Sequence, residues 1–236
     1  MTVRGRFVPP ANPQKSDVVV KVMQKWGHGN PNFVRNSVRG KIAYMNRDET
    51  LDGFDETGAK LDPEQANAKA GRWVGDERYY NAIISPRDSR RIDLQEFTIA
   101  TVEKFGNDLL TSDERRRGAK VEFIAYQHWD TDHPHVHVLM RASVEGREMR
   151  LTNGYICHGM RARAEEVATS MAGYRIERDR DEKLDRDLLM TRRAELGLDP
   201  ATGKPPEADP SAGQSTTKAK TKEQAMDRTE LDGGIG

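Results

Sequence analysis

Two apolar runs, residues 121–126 and 136–140, flank a turn-rich segment that ends in Pro134. Both runs are rich in β-branched and aromatic residues, which suits strands. Proline bars a regular ladder at its own position, and Asp and Thr favour turns. The pattern predicts a hairpin. Four of the chain's six histidines fall in its turn and its second strand or their edges, within His128-Trp129-Asp130-Thr131-Asp132-His133-Pro134-His135-Val136-His137. Side chains alternate across a strand, so His135 and His137 share one face and Val136 takes the other. Folding about Thr131-Asp132 returns His128 to the same place. Three imidazoles converging from two strands form an open metal site, with room for water or a substrate oxygen. Asp130 can accept the N–H of a ligating imidazole or assist as a base. A single histidine at a strand end is ordinarily a structural group; the alternating pair with a third histidine upstream is what points to a metal.

The rest of the chain frames this hairpin. Residues 17–23 read as a strand and 26–32 as a loop broken by Gly27, Gly29 and Pro31, with His28 a solvated loop residue. Residues 33–48 read as a helix whose apolar stripe is Val34, Val38, Ile42 and Met45. Tyr44 falls about 100° from the centre of that stripe, and Arg35, Arg39 and Lys41 form a cationic flank. A tyrosine at the edge of a helix is ordinarily packing. Residues 49–76 suggest an excursion with a weak helix at 63–70, anchored by Trp73. A strand at 80–85 ends at Pro86, and Asp93 caps a helix running to Leu110, with Leu94, Phe97, Val102, Phe105 and Leu109 facing inward. Residues 111–120 read as a charged loop, 145–147 as a turn, 149–151 as a short strand, and 155–173 as a segment leading into a helix. These elements predict an α/β sandwich (α+β) with a mainly antiparallel central sheet and flanking helices. The expected divisions are a basic disordered arm at 1–16, a main domain at 17–175, a charged helical extension at 176–198 and a disordered tail at 199–236.

Charge separates function classes only when it is localised. The chain of 236 residues carries 38 Lys and Arg against 38 Asp and Glu, so its formal net charge is zero, unlike a generic basic nucleic-acid binder. Residues 1–50 hold nine basic and three acidic residues, a local excess that can meet phosphates or simply be solvated. Cys157 is the single cysteine, which excludes an intramolecular disulfide and a Cys-based zinc site. No run approaches the roughly 18 apolar residues of a membrane span, and the basic N-terminus lacks an apolar signal core. The expectation is a cytoplasmic protein.

His128-x-Asp130-Thr131 followed by His135-Val136-His137 resembles the third motif of conjugative relaxases, the HUH endonucleases of plasmid mobilisation. The fuller string through Val138 looks most like the VirD2-like branch. One departure is Arg141, where that branch often carries asparagine. Ile42-Ala43-Tyr44-Met45-Asn46-Arg47-Asp48 is similar to the segment bearing the nicking tyrosine, so the resemblance makes Tyr44 the nucleophile, with Tyr79 and Tyr80 as alternatives. It covers roughly residues 17–175. It implies a metal-dependent enzyme that nicks and rejoins one DNA strand at a transfer origin. Tyr44 and Asp130 would be catalytic, and His128, His135 and His137 would hold Mg, Mn or Zn. Arg35, Arg39, Lys41, Arg47, Ser85, Arg161 and Arg163 would contact DNA, though Ser85 read alone is equally a turn residue. The implied partners are single-stranded or supercoiled origin DNA, relaxosome accessory proteins and a type IV secretion coupling protein, without membrane insertion. Competing expectations are a non-catalytic DNA-binding accessory protein on the same fold, an HUH replication initiator or transposase, and an unrelated three-histidine hydrolase or iron oxygenase.

Overall fold

A computed structural model describes residues 15–46, 51–173 and 182–206. Arg47, most of the N-terminal arm and the tail beyond Pro206 lie outside the described residues. The chain divides into a unit Met1–Pro205 and a second unit Pro206–Gly236. Every strand and helix named below belongs to the first unit.

A six-stranded antiparallel sheet forms its centre, in the order β1-β4-β6-β5-β2-β3. The strands are β1 (Val18–Trp26), β2 (Gly53–Phe54), β3 (Lys60–Leu61), β4 (Arg78–Pro86), β5 (Phe123–His128) and β6 (His135–Arg141). The helices are α1 (Phe33–Asn46), α2 (Pro63–Gly71), α3 (Leu94–Leu109), α4 (Ser112–Arg116), α5 (Met160–Ala172) and α6 (Glu182–Glu195). The expected α+β sandwich is therefore what the chain forms.

Strand alternation sorts the side chains into two cores. Tyr80, Ala82, Ile84, Val136, Val138 and Met140 meet α3, α5 and Leu189 of α6 on one face. Tyr79, Ile124, Tyr126 and Leu139 meet Val34, Val38, Ile42 and Met45 of α1 on the other, together with α2. Burying these apolar faces, at about 25 cal/mol per Å², is the main drive for the layering. The smaller core fixes α1 above the half of the sheet that carries the hairpin.

Three local expectations change. The segment 111–120 contains α4, because Thr111 and Glu114 form a reciprocal capping box that satisfies the helix's first N–H groups. No strand forms at 149–151. The turn at Glu145-Gly146 instead closes a small hairpin of β7 (Ser143–Val144) and β8 (Arg147–Glu148), and both residues take left-handed φ there. The excursion after α1 supplies β2 and β3, the far edge of the sheet, before α2. There Trp73 is fully buried and its indole donates to Glu122 at 3.3 Å.

The compact unit runs on through α6 to Pro205. Gly203 takes φ +70°, and a Cβ there would collide with the carbonyl group of Trp129. Gly203→Ala is therefore expected to destabilise the protein by at least about 2 kcal/mol, roughly 4–8 °C in Tm, read by calorimetry. An unchanged Tm would show that this turn does not pack under the histidine loop.

Candidate metal centre

The hairpin expected from sequence is β5 and β6. His128 pairs with His135 across the two strands, and Tyr126 pairs with His137. Val136 and Val138 are drawn into the larger core, so alternation turns His135 and His137 onto the α1 face beside His128. The ring centroids lie 4.9 Å apart for His128 and His135, 4.4 Å for His128 and His137, and 5.2 Å for His135 and His137. One nitrogen from each ring lies within 4.8 Å of the others, and all three residues are half-buried. Imidazoles bound tetrahedrally at about 2.1 Å place their nitrogens roughly 3.4 Å apart. The triad thus needs only small side-chain movements to close on an ion. These residues can hold a metal.

The ring tautomer is fixed at one position. His135 Nδ1 lies 3.1 Å from the His133 carbonyl, which can only accept, so Nδ1 carries the proton and Nε2 keeps its lone pair for a ligand. Burial is the first cause lowering the His135 pKa, and the His133 carbonyl and Asp130 oppose it. His137 is pushed down to about 3, first by burial and then by the positive charges of His128, His135 and Lys41. A neutral imidazole is the form that binds metal.

The same shift predicts a pH dependence of folding. The folded-state pKa of His137 lies below its unfolded value near 6.5, so between these values the unfolded chain binds more protons. Its contribution is complete above about pH 6.5 and is lost as pH falls towards 3. Between pH 7.5 and pH 5, after discounting for partial solvent exposure, the loss should be on the order of 1 kcal/mol. Thermal melts of chelator-treated protein at pH 7.5 and pH 5 should show it, and His137→Gln should flatten the difference. An equal slope in the variant would assign the acid sensitivity elsewhere.

The loop between the two strands is tied down along its length. Thr131 Oγ1 and His135 Nδ1 both donate to the His133 carbonyl, and Ser85 Oγ donates to the Pro134 carbonyl at 3.1 Å. Arg90 donates to the Asp132 carbonyl at 2.8 Å. Trp129 is buried, with its indole N–H on Gln127 Oε1. Asp130 is exposed at the top of this loop, close enough for its charge to act on His135.

Tyr44 lies on α1 and is 59% exposed, the largest fraction among the exposed large hydrophobic residues. The Lys41 ammonium lies 5.4 Å from the centre of its ring. Its positive charge is also the last of the causes that lower the His137 pKa. Ser37, one turn before Lys41, shares a 2.8 Å hydrogen bond with the Tyr79 hydroxyl of β4. The flank bearing Ser37, Lys41 and Tyr44 therefore looks along the sheet towards β4 and β1. Arg39 turns the other way and leans on the Asn67 carbonyl of α2, and Arg35 bonds its neighbour Asn36.

The remaining sequence-predicted residues are spread more widely. Ser85 sits beside the loop, holding Pro134. Arg161 and Arg163 belong to α5, on the opposite face of the sheet. Arg161 pairs with Glu165, and Arg163 pairs with Asp108 and Glu166. Tyr79 and Tyr80 are buried; the Tyr80 hydroxyl donates to the Met149 carbonyl and accepts from the Leu151 amide. Neither is available as a nucleophile. Arg141 shares a face with the triad but lies at the far end of β6, where it bonds Asp76 and Glu122, so this departure from the motif leaves the histidines untouched.

Sequence reasoning passed over the open face of β1. Residues 18–46 contain five basic residues and no acidic one. Lys21 pairs with Ile83, which pairs with His137, so Lys21 stands two strands from the triad on the same face, about 10 Å away. Val19 and Met23 flank it, both largely exposed. The run of alternating side chains in β1 was the available signal.

Among the described residues, no helix is long and apolar enough to cross a membrane. The chain matches no family model and no curated protein.

Proposed function

We propose that the protein is a metal-dependent transesterase that nicks and rejoins single-stranded DNA through Tyr44. The observation that carries this reading is a three-imidazole site on the same face of the sheet as α1, the helix that bears the exposed Tyr44. Lys21 and Lys41, from a stretch at 18–46 that holds five basic residues and no acidic one, suit a phosphate backbone.

In this mechanism His128, His135 and His137 would hold a divalent ion such as Mg, Mn or Zn. When bound, such an ion, uncancelled by neutral ligands, supplies Lewis-acid stabilisation to the phosphate. The Tyr44 oxygen attacks the phosphorus in line and the bond to the 3′ oxygen breaks. The leaving 3′ oxygen takes a proton from water, so the products are a 5′-phosphotyrosine link and a free 3′ hydroxyl. The phenol proton passes to Asp130 or to water. Lys41, whose ammonium lies 5.4 Å from the centre of the ring, supplies positive charge near the phenolate as it forms. Attack by the 3′ hydroxyl reverses the step and rejoins the strand. Action at a transfer origin, with relaxosome proteins and a secretion coupling protein as partners, rests on the motif resemblance alone.

The test uses single-stranded oligonucleotides tiled across the DNA flanking the encoding gene, incubated with protein and Mn²⁺ or Mg²⁺. The expected result is an adduct that survives SDS and is absent with EDTA. DNA binding with no adduct under any metal would favour a non-catalytic accessory protein.

A further inference from the structure

Arg193 has no place in the nicking chemistry, yet it is the most elaborately bonded arginine near the histidine loop. It belongs to α6, beyond the span of the motif resemblance, and only 4% of it is exposed. Its guanidinium donates solely to main-chain carbonyls in the hydrogen bonds it makes. Nε reaches Trp129 at 2.8 Å, and one terminal nitrogen reaches Thr131 at 3.1 Å. The other reaches Pro200 at 3.2 Å and Ala201 at 2.9 Å. The two loop carbonyls lie on either side of Asp130. The fork therefore spans Asp130, one of the exposed residues of a loop whose ends carry His128 and His135.

A second arm of the same helix acts nearby. Arg90, which holds the Asp132 carbonyl, lies 3.7 Å from Asp185 of α6. Gly203 closes the underside, where no Cβ fits against Trp129 or Arg193. A buried guanidinium is costly unless its donors are met, and four of its five N–H groups are met here by carbonyls that the loop and the following turn leave open. A fork of fixed geometry sets spacing as well as charge.

We propose that Arg193 is a positioning residue. It braces residues 129–132 against α6, so the C-terminal arm fixes the separation of two metal ligands, His128 and His135, without touching the metal. Groups supporting metal ligands in this way are worth about 10–100-fold in affinity. The metal arm of the test rests on the three-histidine centre; the exchange arm does not.

The experiment compares Arg193→Lys and Arg193→Met with Arg192→Met in the full chain. Arg192 adjoins Arg193 on α6 but pairs with Asp93 and Glu195, away from the loop, so its loss loosens α6 without removing a bond to the loop. Two quantities are read well below each variant's Tm: amide hydrogen exchange across residues 129–135, and the Kd for Co²⁺. In Arg193→Lys, which keeps the charge and loses the fork, exchange should be at least about tenfold faster and the Co²⁺ Kd at least about tenfold weaker. Arg192→Met should change neither. If Arg193→Met does not fold, the lysine variant decides. Unchanged exchange in Arg193→Lys, or an equal effect of Arg192→Met, would overturn the proposal. If wild-type protein binds no Co²⁺, the metal centre fails and the exchange arm still decides on the brace.

Discussion

Tyr44→Phe should abolish the covalent DNA adduct, a loss of more than about a thousandfold, since no other described tyrosine is placed to replace it. Tyr79, Tyr80 and Tyr126 are buried, with their hydroxyls engaged on Ser37, on the main chain and on the Asn46 side chain. Tyr155 bonds Asp108 near α5, on the far side of the sheet. The change removes one oxygen from a side chain 59% exposed, so stability should stay within about 0.5 kcal/mol of wild type and metal affinity should be unaltered. Gel analysis of the adduct, calorimetry and metal titration check the three parts. An adduct persisting at wild-type yield would move the nucleophile elsewhere.

His137→Ala should act on the other half of the site. It removes one of three donors and leaves a half-buried gap beneath α1. Metal affinity should fall by more than about 100-fold, beyond the loss expected for a supporting group. Adduct formation should fall with it at any fixed metal concentration, and partial recovery at high Mn²⁺ would mark a binding defect rather than misfolding. The metal-free variant should hold its stability at pH 5 better than wild type, because the imidazole pushed down to about 3 is gone. Lower stability at every pH, with metal affinity intact, would make His137 a core residue only.

The hairpin was legible because two independent signals agree on it: strand-forming composition on both sides of a proline-ended turn, and histidines spaced for one face. Tyr44 was legible as an edge position on α1 because four apolar residues define the opposite stripe. A helical wheel gives such an angle but not the neighbour each flank meets, so Lys41 and Arg39 looked equivalent. Their separation arises from α2 on one side and the bare face of β1 on the other, both long-range facts. The helix after Thr111 was written in its capping box and obscured by the run Arg115-Arg116-Arg117. Arg193 left no trace at all, since its ligands are main-chain carbonyls 62 and 64 positions away in sequence. Contacts of that kind constrain no residue type at the receiving end.

The most direct test of the central claim, a divalent ion held by three imidazoles of one hairpin, is a Co²⁺ titration of metal-free protein followed by visible absorption. Wild-type protein and Tyr44→Phe should both give the intense bands of a low-coordinate cobalt site, saturating at one ion per chain, and His128→Ala, His135→Ala and His137→Ala should each lose them. Absence of bands in the wild type, or bands surviving unchanged in the histidine variants, would contradict the metal centre and remove the basis for Tyr44 chemistry.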